Sequence, residues 1–265
     1  MSTRRERERR KKLKRIRNAI SAAFCVLILL LVLGIVNLLT GVLEKHLPII
    51  DGNGDYTIGI LEKLNGDKQE DTDKKGLTVC IDAGHGGRDG GAAADDGTLE
   101  KDLNLAVAKE LCDLFEGAGY DTVMTRTEDV ALGDENSSHK KLGDLKARVE
   151  LAKQYKNAIF ISVHMNKFPV PKYSGLCVYF AKKTEGSAAL AEDVRMVVAT
   201  YLQKENGRQI KGAGSEIYVL DNAPCTAILV ECGFLSNPSE LALLKTEEYR
   251  KKVAACVFTA TANYM

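Results

Sequence analysis

The chain has 265 residues, 45% hydrophobic and 28% charged, which fits one or two globular domains. Its formal net charge of +1 is unevenly spread: residues 1–18 hold ten Arg or Lys against Glu6 and Glu8, about +8, so residues 19–265 carry about 1 − 8 = −7. An acidic body argues against a nucleic-acid partner, because phosphate neutralisation needs a basic face.

Behind the basic tail (residues 1–18), Asn18 to Leu43 contains no charge, and Phe24 to Leu33 is continuously apolar. As a helix this stretch spans roughly 39 Å at about 1.5 Å per residue, enough for a hydrocarbon core of about 30 Å. A transmembrane helix over 19–43 is the expectation. Basic flanks stay on the cytoplasmic side, so the remaining chain lies outside the membrane. Thr40-Gly41-Val42-Leu43-Glu44 is not a small-x-small cleavage site, which favours an uncleaved membrane anchor over a signal peptide. Residues 44–76 hold eight acidic residues, five lysines and five glycines, the composition of a solvated linker.

From Leu77 the pattern changes to alternating strands and helices. Leu77–Asp82 reads as a buried strand. Glu100–Glu116 carries Leu103, Val107, Leu111 and Leu114 at helical spacing, and Gly117 and Gly119 end it. Tyr120–Thr125 reads as a strand, Asp144–Tyr155 as a helix, and Ala158–Val163 and Gly175–Phe180 as strands. Glu185–Leu202 reads as a helix. Ile217–Leu220 and Ala227–Val230 read as strands, and Glu247–Ala262 as the closing helix. The fold class is therefore α/β, a single domain over 77–265 with a largely parallel mixed sheet flanked by helices. Of the seven cysteines, Cys25 lies in the apolar stretch. No two form a C-x-x-C pair, so a cysteine metal site is not indicated, and buried free thiols are expected.

Ligands in such sheets bind beyond the carboxyl ends of the strands. His85 follows the first strand, His164 the third, and Glu231 the strand near the end; Glu100 opens the first long helix after a Gly-rich loop. His85, Glu100 and His164 make a His₂Glu set, which suits a catalytic zinc with a fourth position left for water. Taken singly, each also has an ordinary reading as a structural or surface residue. Glu231 stands out because a carboxylate directly after an apolar run needs a partner or a task. His46 and His139 fall in polar surroundings and read as solvated. Gly84-His85-Gly86-Gly87 also suggests a phosphate loop, but neither dinucleotide nor Walker spacing is present.

Several motifs in order carry a family resemblance. They are Ile81-Asp82-Ala83-Gly84-His85-Gly86-Gly87, Gly97 to Leu105 around Glu100, Thr125-Arg126-Thr127-Glu128-Asp129, Ser162-Val163-His164-Met165-Asn166, and Val230-Glu231-Cys232-Gly233-Phe234-Leu235-Ser236-Asn237. Over residues 77–265 the chain resembles the zinc-dependent N-acetylmuramoyl-L-alanine amidases of type 3. The resemblance implies one Zn²⁺ held by His85, Glu100 and His164, with Glu231 as the catalytic carboxylate. It makes Arg126 first a structural residue paired to a carboxylate and Asn166 a residue that positions substrate or fixes the loop after His164, and both are substrate-binding candidates. Ala83 stands where the family usually has proline, Cys232 where valine is common, and Met165-Asn166-Lys167 replaces a smaller residue near the asparagine.

The N-terminal anchor and the absence of a wall-binding repeat resemble sporulation and germination amidases, which act on spore cortex peptidoglycan. A long inhibitory insertion found in some division amidases after the second histidine has no room here, so control by an activator protein is expected. Two alternatives stay open: a zinc carboxypeptidase or endopeptidase on the stem peptide, and a non-catalytic wall-binding regulator.

Overall fold

The computed structural model describes residues 76–134 and 138–265. The basic tail, the apolar stretch and all but the last residue of the expected linker lie outside the described residues. Among the described residues no helix is long and apolar enough to cross a membrane.

Six strands form one sheet in the order β2-β1-β3-β6-β4-β5. They are β1 (Thr78–Ala83), β2 (Asp121–Met124), β3 (Ala158–Asn166), β4 (Cys177–Phe180), β5 (Lys211–Gly212) and β6 (Thr226–Phe234). All neighbours pair in parallel except β4 with β6, which run antiparallel. The helices are α1 (Glu100–Gly117), α2 (Lys140–Lys153), α3 (Ser187–Tyr201), α4 (Tyr218–Asp221), α5 (Pro238–Leu244) and α6 (Glu247–Tyr264).

The two-residue alternation of the strands explains why both sheet faces are covered. Val79 and Ile81 of β1, with Ile159, Ile161 and Val163 of β3, face a large core shared with α1, α3 and α6. Cys80 and Phe160 point the other way, into a smaller core with Val149 and Ala152 of α2 and with Val219 and Leu220 of α4. In α1 Leu103, Val107 and Leu111 are buried as their spacing implies, whereas Leu114 is only partly buried and Phe115 takes the core position beside it. Phe115 meets Tyr120 and Phe258 edge to face, with ring centroids 5.6 and 4.9 Å apart. The six described cysteines are free thiols, five buried and Cys225 half-buried. Burial pushes the Cys80 thiol up to about 12, with Cys225 adding to the rise, so it packs as a small apolar group.

Some expected elements differ. Ile217–Leu220 is not a strand: Ile217 caps the short helix α4, and its carbonyl accepts from the Leu220 and Asp221 amides. The local β-branched and aromatic run lost to a turn that buries Val219 and Leu220. β3 and β6 both run past their apolar cores, since pairing continues through His164↔Glu231 to Asn166↔Phe234. α2 begins four residues before Asp144. β5 and α5 were not foreseen, although Asn237 and Pro238 signal the start of α5. The Asn237 side chain accepts from the Ser239 and Glu240 amides at 3.0 and 3.1 Å.

Candidate active site

The site lies at the carboxyl ends of β1, β3 and β6. β1 ends at Ala83, and Gly84 follows with no room for a side chain: a Cβ there would lie 2.2 Å from His164 Nε2. His85 then adopts a left-handed backbone, φ 62°, unusual for a residue with a side chain. Gly91 sits equally close to the ligands, since a Cβ there would lie 2.6 Å from Glu100 Oε2 and 2.7 Å from His85 Cδ2. The glycines around His85 thus let the loop close down on the side chains.

Those side chains converge. His164 Nδ1 lies 2.8 Å and His85 Nε2 3.3 Å from Glu100 Oε1. The two imidazoles are 4.9 Å apart, nearly perpendicular. One ligand atom from each of His85, Glu100 and His164 lies within 4.8 Å of the others, a set able to hold a metal ion. Glu100, the first residue of α1, is 4% exposed. It accepts from the Ala92 amide at 2.8 Å and the Met165 amide at 3.2 Å. Burial alone would raise its pKa, but the hydrogen bonds to His164 and His85 hold it well below the usual carboxylate range. The helix N-terminus favours the same charge. Burial works against the charged form of His85, yet Glu100 and Asp89 leave its pKa raised.

Glu231 faces this set from β6, directly paired in register with His164. Its Oε2 is buried and has no hydrogen-bond partner. Burial pushes its carboxyl up to about 7, with His164 and His85 opposing and Glu100 adding to the rise. An orphaned buried oxygen beside a two-histidine, one-carboxylate cluster fits a site built for a cation and a water.

Beneath the ligands lies a support that sequence reasoning missed. Arg148 of α2, 2% exposed, donates from Nη1 to Asp82 Oδ1 (2.6 Å) and Ala83 O (2.8 Å), and from Nη2 to His85 O (2.7 Å). Its Nε donates to Asp144 Oδ2 at 2.8 Å. Asp82 also accepts from Thr125 Oγ1 and Ser162 Oγ. Arg126 is likewise buried. Its Nε donates to Ala83 O, Nη1 to Glu128 O, and Nη2 to both Gly84 O and Lys101 O. The expected carboxylate pairing is absent from these bonds: backbone carbonyls take its donors, and the side chain is buried. Asn166 is half-buried at the end of β3, and its carbonyl accepts from the Leu235 amide. His85 Nδ1 pairs with Asp89 Oδ2 at 2.9 Å, the kind of outer contact that orients a ligating imidazole. No sequence signal marked Asp89 or Arg148, because their partners are set by the tertiary fold.

The family model described as N-acetylmuramoyl-L-alanine amidase matches residues 79–263. The chain belongs to this family. The germination-specific N-acetylmuramoyl-L-alanine amidase of Bacillus subtilis is 35% identical over 199 residues, covering 71% of this chain and 80% of that one. The solved CwlD amidase from Clostridioides difficile, in complex with the GerS lipoprotein, is 34% identical with a TM-score of 0.68. That match covers 71% of this chain and 97% of that chain. The amidase AmiC2 of Nostoc punctiforme is 31% identical with a TM-score of 0.62, over 71% and 96% of the two chains. The matched region contains all four converging side chains. The amidase family therefore accounts for the part of the chain that the sheet and its site occupy.

Proposed function

We propose that this protein is a zinc-dependent peptidoglycan amidase that hydrolyses the bond between the lactyl carbonyl of N-acetylmuramic acid and the amine of L-alanine. One observation carries the reading: His85, Glu100 and His164 converge, and Glu231, whose buried Oε2 has no hydrogen-bond partner and whose carboxyl pKa is raised, faces them. His85, Glu100 and His164 would hold the zinc, which when bound would supply a water of pKa about 7 and a Lewis acid for the carbonyl. Glu231 takes the proton from the attacking water and returns it to the departing amine. A group near pH 7 suits both halves of that exchange. Glu100 stays ionised throughout, and Asp89 holds the His85 ring. Arg148 and Arg126 hold the carbonyls of residues 83–85, fixing where His85 stands. Asn166 remains the candidate for contacting substrate.

Kinship to a germination-specific amidase supports action on spore cortex. The relative solved with a lipoprotein supports an activator partner for this chain. The basic tail and the uncharged stretch behind it support a single-pass membrane anchor, with the catalytic domain outside the cytoplasm.

The test is to digest purified peptidoglycan with the full-length, zinc-loaded protein and identify the new ends by mass spectrometry. Free L-alanine amino ends support the amidase. New ends inside the stem peptide would replace it with a peptidase. No new ends, with zinc bound, would leave a wall-binding regulator.

A further inference from the structure

Past His164 and Asn166 the chain leaves β3 and enters the segment 167–174. Three large hydrophobic side chains on it are exposed: Phe168, Val170 and Tyr173. The segment is nevertheless held in place. The Phe168 amide donates to Ser236 Oγ at 3.1 Å. Asn237 Nδ2 donates to Pro171 O at 3.0 Å and Tyr173 O at 3.3 Å. Lys167 Nζ donates to Ala93 O at 2.6 Å. The Phe168 and Tyr173 rings meet edge to face, 4.9 Å apart at 86°, and Lys172 Nζ lies 5.8 Å from the Tyr173 ring centroid.

Each tie leads back to the site. Ser236 and Asn237 follow the strand that carries Glu231, and Ala93 belongs to the loop between His85 and Glu100. Phe168 lies four positions beyond His164, so their backbones lie within about 14 Å. The aromatic pair therefore stands on a fixed rim of the site, at a distance that a few sugar rings span.

We propose that Phe168 and Tyr173 form a sugar-stacking subsite for the glycan strand, holding pyranose rings that neighbour the muramic acid whose amide is cut. This rests on the amidase reading and extends it from the bond to the polymer. A pyranose ring has an apolar C–H face and polar edges. An aromatic pair takes the face, and the tyrosine hydroxyl meets the edges. A protein partner fits less well, because a standard interface takes about 20–30 residues a side and this exposed apolar group is confined to one short loop.

The test uses the full-length, zinc-loaded protein, wild type and F168A/Y173A, on glycan strands of graded length that keep their stem peptides. Both side chains are exposed, so the variant keeps the wild-type thermal transition. Loss of each stacked ring raises KM by about two- to tenfold on long strands. kcat is maintained, the effect shrinks as the glycan shortens, and F168W/Y173W restores KM. Unchanged KM on long strands overturns the proposal. So does an equal loss at every length with a fall in kcat, which would make the loop part of the site's scaffold. Unchanged kinetics with loss of stimulation by an activator protein would assign the rim to that partner instead. If the wild type itself releases no L-alanine amino ends, the amidase reading fails before the subsite is tested.

Discussion

Burial raises the carboxyl of Glu231 to about 7 from an ordinary 4.5, so its charged form opposes folding. The folded pKa lies above the unfolded one, so this cost is absent below the unfolded value. It grows as pH rises through the interval and is constant above about 7. Metal-free Glu231→Gln should therefore melt above the metal-free wild type at pH 8 and match it at pH 4, measured by thermal scans at the two pH values. The zinc-loaded variant should keep its metal yet lose about 10²–10⁴-fold in turnover. Arg148 acts on the same site from below. Arg148→Lys keeps the charge but not the fork that reaches the Asp82 carboxylate and two carbonyls together. Its zinc affinity, read by chelator competition, should fall about 10–100-fold. Burial favours a raised pKa for Asp82, but Arg148, Ser162 and Thr125 hold it below the usual range. That stabilisation is present above the unfolded pKa of about 3.9 and is lost as pH falls below it. Arg148→Met should thus destabilise the neutral protein by about 3–5 kcal/mol. Its further loss of stability below pH 4 should be shallower than in the wild type, as acid-unfolding curves would show.

Among the elements, the apolar ones were legible and the polar ones were not. The helices α1, α3 and α6 and the cores of β1, β3 and β6 follow from hydrophobic spacing. That pattern also placed His85, His164 and Glu231 at strand ends and Glu100 at a helix start. It stops where polar side chains take over, so the last residues of β3 and β6 were missed although they carry His164 and Glu231 in register. The roles of Arg126 and Arg148 depend on bonds that reach across up to 43 and 66 positions of sequence, and the role of Asp89 depends on where the loop places His85; local pattern does not encode such contacts. α4 shows local propensity losing to burial. Asn237 joins two elements: it caps α5 and holds the 171–173 turn. Asn237→Ala should cost about 0.5–2 kcal/mol by denaturant unfolding. It should also raise KM on long glycans, since the aromatic rim loses its tie. A stability loss with unchanged KM would separate the cap from the rim.

On the scale of the whole molecule, an acidic catalytic body follows a basic tail and an uncharged stretch long enough to cross a bilayer. If that stretch is the membrane anchor proposed above, hydrolysis takes place close to the membrane surface. The full chain should fractionate with membranes and resist carbonate extraction; a chain lacking residues 1–43 should appear in the soluble fraction with unaltered turnover on dissolved muropeptides. The central claim is that one metal, held by His85, Glu100 and His164, makes this family member an amidase. The direct measurement is to strip the full-length protein of metal, return zinc in steps, and follow L-alanine amino ends against zinc bound per chain. The account predicts no turnover in the stripped protein and a linear rise that saturates at one zinc per chain. Full turnover in the stripped protein, or zinc bound stoichiometrically by a His85→Ala/His164→Ala variant, would contradict it.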